Sequence, residues 1–357
     1  MAGNNGLVLL TGATGHVGFA VLLKALESGY NVRVVLRDMS KADSIRCSDP
    51  VQKALSSVDA AMLSFVLVAD ITSPGAFDSV MKDVTYVVHV ASPIDRGKFK
   101  DLQAELIEPA MKGTMNVLNS ARAVPSVRRV VITSSTSAIA HHLSPPAPGA
   151  CVAPSDRLSD RRPDTATRGG DEAYSAGKVA ALNATDLFLL AANDLHFDVI
   201  NIMPSYVFGP KGLATSPKDV INGSNVFGIG LALLKESWTS VRIDAASCHV
   251  DDVAEVHIRA LGYEESGPLP LRPGTHRDFT LAVPFRPEEV REIIMKAFPS
   301  QLWEDEGAVF GAKGVYEWYH VDYDVTATEA LLGRKLKSFE EQIASSGAQV
   351  FQIAGSL

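Results

Sequence analysis

The segment Leu7-Val8-Leu9-Leu10-Thr11-Gly12-Ala13-Thr14-Gly15-His16-Val17-Gly18 decides the fold. A short apolar run stops at a turn whose glycines, Gly12, Gly15 and Gly18, are spaced three apart, and an apolar helical pattern follows over 17–28. A strand that enters a helix through such a turn aims backbone N–H groups and the positive helix end at an anion. Gly12 permits the tight turn, Gly15 lets the backbone approach a pyrophosphate, and Gly18 lets helix and strand pack closely. Gly12, Thr14, Gly15, His16, Val17 and Gly18 are therefore the candidate dinucleotide-binding turn. A Walker phosphate loop is excluded: no Lys follows this turn, and the stretch 170–178 has the wrong spacing, with Val179 where Ser or Thr is required.

Around this turn, apolar runs at 7–11, 31–36, 64–69, 85–91, 129–133 and 197–203 read as strands. They are continuous rather than alternating, as strands covered on both faces must be. Helical patterns fall between them at 17–28, 75–81, 102–123 and 173–192. The series predicts an α/β fold, a doubly wound parallel sheet of the Rossmann type with right-handed crossovers. Regularity then breaks down, with glycines and prolines over 207–247 and short helical patterns at 226–235, 253–261 and 287–297. The expected division is a cofactor domain over 1–205, to which 244–262 returns, and a smaller mixed α/β substrate lobe over 206–243 and 263–357. The stretch 144–170 carries five prolines and reads as a lid or binding loop, or as a surface excursion.

With 357 residues, 46% hydrophobic and 21% charged, the chain can bury a sizeable core and is not of the disordered class. Lys+Arg number 33 against 41 Asp+Glu, a net charge of -8 with no long block of one sign, which argues against coating nucleic acid, a role that needs a basic face. The three cysteines, Cys47, Cys151 and Cys248, form no CxxC pair, which argues against disulfide scaffolds and zinc knuckles. The longest apolar run, 226–234, falls far short of a membrane span, and no signal-peptide pattern is present, so a cytoplasmic protein is expected. His141-His142 cannot share a helix face and has no carboxylate partner at ligand spacing, so no metal site is assigned.

The second strand ends Leu36-Arg37-Asp38. An acid there suits the ribose of NAD and an Arg suits the 2′-phosphate of NADP; Arg37, with Lys41 close behind, favours NADP(H). Asp70-Ile71 follows the third strand where an adenine would rest, and Ala91-Ser92-Pro93 ends the fourth. Both lie at the carboxyl ends of strands, where open parallel sheets bind ligands. Tyr174-Ser175-Ala176-Gly177-Lys178 places a phenol and an ammonium at i and i+4, on one helix face. An ammonium there is expected to lower the phenol towards a working general acid. Thr133-Ser134-Ser135 ends the fifth strand, 39 residues before Tyr174 counting from Ser135, and can aim a hydroxyl at a bound carbonyl.

With these parts in place, the chain resembles the extended short-chain dehydrogenase/reductase family. Within it, the resemblance is to the branch of dihydroflavonol, cinnamoyl-CoA and fungal carbonyl (methylglyoxal/aldehyde) reductases. It rests on TGATGHVG (11–18), VRVVLRD (32–38), HVASP (89–93), RRVVITSS (128–135), YSAGK (174–178), IMPSYVFGP (202–210) and HVDDVAEVHIRAL (249–261). The resemblance implies that Ser135, rather than Ser134, polarises a carbonyl, that Tyr174 donates a proton, and that Lys178 binds the nicotinamide ribose and tunes Tyr174. It also implies backbone contacts to the nicotinamide from Pro204, Ser205 and Val207, and a 2′-phosphate contact from Arg37. The chain departs from the family at Gly177, where Ser is usual. The acidic-Ser-x-Trp segment of this branch is also missing, with Ser155-Asp156-Arg157-Leu158 nearby instead. The expectation is an NADPH-dependent carbonyl reductase acting on a ketone or aldehyde of a hydrophobic metabolite, a secondary metabolite included. Its partner is a small-molecule carbonyl substrate, with no nucleic acid and no membrane, and it works as a monomer or homodimer. The alternatives are an NAD-dependent nucleotide-sugar epimerase or dehydratase and a non-catalytic NADP-binding redox sensor.

Overall fold

The computed structural model describes residues 5–56, 59–93, 99–140, 146–147, 149–158, 170–233, 241–262, 270, 272–299 and 316–355. Seven parallel strands form the central sheet: β1 (Leu7–Thr11), β2 (Asn31–Leu36), β3 (Leu63–Leu67), β4 (Tyr86–His89), β5 (Arg129–Thr133), β6 (Asp198–Pro204) and β7 (His276–Leu281). Their spatial order is β7-β6-β5-β4-β1-β2-β3. From β1 the chain winds to β2 and β3 on one side, then crosses to β4 and beyond on the other. The crevice between β1 and β4, at their carboxyl ends, is the topological switch point at which such sheets take ligands.

Helices α1 (His16–Glu27), α2 (Glu108–Arg122), α3 (Gly170–Ala191) and α4 (Val250–Leu261) flank the sheet. Successive strand residues point to opposite faces, so Val8 and Leu10 join one core with Leu22 and Val253, while Leu9 joins the other with Val117 and Phe188. That double burial is why the strands read as unbroken apolar runs. A separate core gathers Phe208, Ile229, Phe285, Phe339 and Ile343. There α5 (Val290–Ala297) and α7 (Phe339–Ala354) meet, the latter opened by a Ser338/Glu341 capping box. Between them in sequence, α6 (Thr326–Leu332) closes on α4 and β7. Among the described residues no helix is long and apolar enough to cross a membrane.

Two expectations need correction. The helix expected at 75–81 is a single turn, Asp78–Val80, bounded by Gly75 at φ +69° and Asp83 at φ +63°, and so short a segment cannot offset helix nucleation. Strand β7 lies inside the range assigned to the substrate lobe but is the edge of the central sheet, paired along β6. Its first half, His276-Arg277-Asp278, is polar because an edge strand is only half covered, which hid it from the apolar pattern.

An ion pair is buried between two central strands. Arg129 of β5 meets Asp198 of β6 in a two-pronged contact at 2.6 and 2.8 Å, both side chains 2% exposed or less, and a third N–H reaches the Ala260 carbonyl of α4. Asp198→Ala would strand the guanidinium in the core. Urea unfolding should show a loss of about 3–5 kcal/mol; a loss under about 1 kcal/mol would mean the pair is dispensable.

Candidate active site

Gly12 sits at φ +80°, and a Cβ there would lie 2.8 Å from the Ala91 backbone nitrogen. A Cβ on Gly18 would lie 2.1 Å from the Gly12 carbonyl oxygen, a contact no side chain survives. Gly15 donates to the Gly12 carbonyl at 3.0 Å and caps α1, with no capping side chain and no acid in the first turn. The helix start thus has amides without a capping side chain at an exposed turn, which fits a dinucleotide pyrophosphate. Thr14 and Gly15 are exposed, whereas Val17 packs on the core. The His16 ring is committed elsewhere: its Nε2 donates to the Pro210 carbonyl at 3.0 Å, and burial lowers it to about 3. The turn is thereby fastened to the 207–210 segment.

Thr11 is the joint between β1 and β4. Its Oγ1 accepts from the amides of Val90 (3.1 Å) and Ala91 (3.0 Å), so its proton goes to His89 Nδ1 at 2.9 Å. Burial holds His89 neutral, lowered to about 3. Ala91 and Ser92 are brought beside the glycine turn, and with His89, Thr133, Ser134 and Lys178 they line a small cavity at the strand ends.

Asp38 and Asp70 have local duties. Asp38 accepts from the Ser40 amide and hydroxyl at 2.9 and 2.8 Å, bonds that hold its carboxyl below the usual range. Arg37 and Lys41 beside it are exposed and make no ion pair among the described residues. Asp70 closes a turn with Thr72 and Ser73, and Asn116 of α2 holds that loop by donating to the carbonyls of Ile71 and Ser73.

Three side chains converge where β5 ends. Ser135 accepts the Ser137 amide on Oγ at 3.1 Å and hydrogen-bonds the hydroxyl of Tyr174 from α3. One turn along α3, Lys178 Nζ donates to the Thr133 carbonyl at 2.8 Å and lies 5.7 Å from the Tyr174 ring centre. Ser134 instead donates its amide to the Ile202 carbonyl at 2.7 Å. Sequence reading missed His257. It donates from Nδ1 to the Val253 carbonyl at 2.7 Å, which leaves Nε2 to accept the Thr133 hydroxyl at 2.8 Å. Only the partner positions reveal this role, and the motif HVDDVAEVHIRAL gives no sign of it.

The expected electrostatics are reversed. Burial raises the Tyr174 phenol, opposed only by the Ser135 hydrogen bond, and burial lowers Lys178 to about 8. Desolvation of both groups outweighs their mutual effect. Ser205 donates both its amide and its hydroxyl to the Leu281 carbonyl, Pro204 ends β6, and Val207 is buried, so any cofactor contact from this segment uses its backbone. His249 opens α4 by accepting the Asp251 amide at 3.0 Å, the helix-start role open to it from sequence. His141-His142 and most of 144–170 lie outside the described residues.

Residues 8–270 match the model of the NAD dependent epimerase/dehydratase family. The chain belongs to this family, the extended short-chain dehydrogenase/reductases. It is 64% identical to the NAD-dependent epimerase/dehydratase ALT6 of Alternaria alternata, over 98% of both chains. It is 31% identical to the ketoreductase CTB6 of Cercospora nicotianae, over 97% of this chain and 95% of that one. The yeast methylglyoxal/isovaleraldehyde reductase Gre2 has a similar fold, with a TM-score of 0.78 at 23% identity, over 98% of this chain and 100% of that one.

His89 and His257 are 3% and 0% exposed, with values lowered to about 3 and about 4. Each binds fewer protons folded than unfolded, so its share of stability is complete above about pH 6.5 and is lost as pH falls towards those values. Between pH 6 and 4.5, a His257→Gln variant should lose stability less steeply than wild type, by about 1.4 kcal/mol per pH unit. Parallel slopes in urea titrations would show that His257 protonates in the fold.

Proposed function

We propose that this oxidoreductase-like chain is an NADPH-dependent carbonyl reductase acting on a ketone or aldehyde of a hydrophobic metabolite. The single observation that carries the reading is the convergence of Ser135, Tyr174 and Lys178 beside the glycine turn. The ketoreductase name of a relative at 31% identity supports it. The NADPH reading rests on Arg37 and Lys41, exposed at the end of β2 while the Asp38 carboxylate is occupied by Ser40.

When bound, the reduced nicotinamide supplies a hydride. The chain's own residues do the rest. Ser135 Oγ, with a lone pair taken by the Ser137 amide, turns its proton to the substrate oxygen and holds it next to the phenol. The Tyr174 hydroxyl, kept protonated by burial, donates to that oxygen as charge develops on it. Lys178 Nζ, anchored on the Thr133 carbonyl and shifted to about 8, holds a proton close to the phenolate left behind. With the Ser205 hydroxyl committed to Leu281 and Val207 buried, Pro204, Ser205 and Val207 would offer backbone rather than side-chain groups to the nicotinamide.

Tyr174→Phe should lower kcat for NADPH oxidation by about 10²–10⁴-fold while the protein still binds NADPH; wild-type turnover by this variant on a confirmed substrate overturns the reading. Arg37→Ala should reduce the preference for NADPH over NADH by about tenfold or more, the worth of one charge-assisted contact. An unchanged ratio would remove Arg37 from the phosphate site. The names of close relatives favour a second reading, an epimerase or dehydratase that retains and recycles NAD. Purified protein carrying stoichiometric NAD and consuming no NADPH would establish it.

A further inference from the structure

A second polar centre lies beside the Ser135–Tyr174 pair. Asp244 ends the short strand Val241–Asp244, and its Oδ2 accepts a 2.6 Å hydrogen bond from the Tyr323 hydroxyl. That hydroxyl also meets the side chain of Thr136, the residue after Ser135. Asp244 is therefore linked through one phenol to the turn that holds the carbonyl-polarising hydroxyl. The other carboxylate oxygen, Oδ1, is buried and has no hydrogen-bond partner among the described residues. Tyr206 lies within electrostatic range of both Asp244 and Tyr174, and its ring packs on Phe227 at 5.0 Å and on Phe208 at 6.5 Å. The surroundings thus combine an aromatic wall with one unsatisfied acceptor.

A buried acceptor with no donor costs stability, and natural folds leave few of them. Tyr323 needs only one oxygen of Asp244, so the described residues do not account for the second. Burial pushes the Asp244 carboxyl up to about 6, which leaves it mostly ionised at neutral pH and acceptor-only. The missing partner is a donor brought from outside. We propose that Asp244 is a specificity-determining residue whose free Oδ1 accepts a hydrogen bond from an N–H or O–H group carried by the carbonyl substrate, a few bonds from the reacting carbon. Tyr206 and Phe227 cover the adjoining apolar part of that substrate. The inference rests on the carbonyl-reductase reading and adds the chemistry that a substrate must bring besides its carbonyl.

The test compares ketones of equal length that carry an amino group, a hydroxyl group or only hydrogen one to three carbons from the carbonyl. Each is assayed by NADPH oxidation and, without need of turnover, by calorimetric binding to the purified protein. The donor-bearing ketones should exceed the unsubstituted one by about ten- to hundredfold in kcat/KM, chiefly through KM, and should bind more tightly to a similar degree. The amino and hydroxyl arms identify which donor the site takes. Asp244→Asn keeps the size of the side chain and Asp244→Ala removes the acceptor. In both, the donor-bearing ketones should fall to the level of the unsubstituted one, with thermal melting used to confirm folding. Equal kinetics and equal binding across the wild-type panel overturn the proposal, as does a preference that survives both substitutions. If no carbonyl compound supports NADPH oxidation, the reductase reading fails, and the binding comparison still decides the role of Asp244.

Discussion

The close approach of α1 to β1 governs the site. With Gly18 seated against the Gly12 carbonyl, where a single methyl would come within 2.1 Å, the helix start has one place to go. Its uncapped amides then face the switch-point crevice. Thr11, at the end of β1, accepts two amides from the far side of that crevice and ties β4 to the same turn. Without that contact, neither the anion site nor the cavity beside it would have a defined wall.

The reactive end of the site uses the same device, a backbone carbonyl that holds a side chain. The Thr133 carbonyl receives the Lys178 ammonium, and the Thr133 hydroxyl is satisfied by His257 from α4. Helices from opposite faces of the sheet therefore meet on one residue at the end of β5. Burial sets the charge state of both groups: it raises the phenol, which stays protonated, and brings the ammonium to about 8. A solvated pair with the same spacing would sit near ordinary values and have less reason to exchange a proton.

The legible features were those with local periodicity. Six of the seven sheet strands, the glycine turn and the Tyr-Lys pair follow from spacing that the chain carries within a few residues. Strand β7 escaped because its polar half faces the loop anchored by Arg157, whose guanidinium bridges Asp186 and Asp278. The helix expected at 75–81 failed because flanking residues with positive φ turn the chain before a second helical turn can form. The direction of the Tyr174 shift was also out of reach, since i,i+4 spacing reports neighbours but not solvent.

The sequence alone determined that a dinucleotide-type turn, a parallel sheet and a Ser-Tyr-Lys set occur together, because each depends on spacing within one strand or helix. Tertiary structure alone decided which oxygens and protons are left over. Thr133 spends its hydroxyl on His257, His16 spends its ring on Pro210, and among the described residues Asp244 retains one free oxygen, with Tyr206 in electrostatic range. Hydrogen-bond saturation is set by partners far apart in the chain, and only the packed fold brings them within 3 Å of one another.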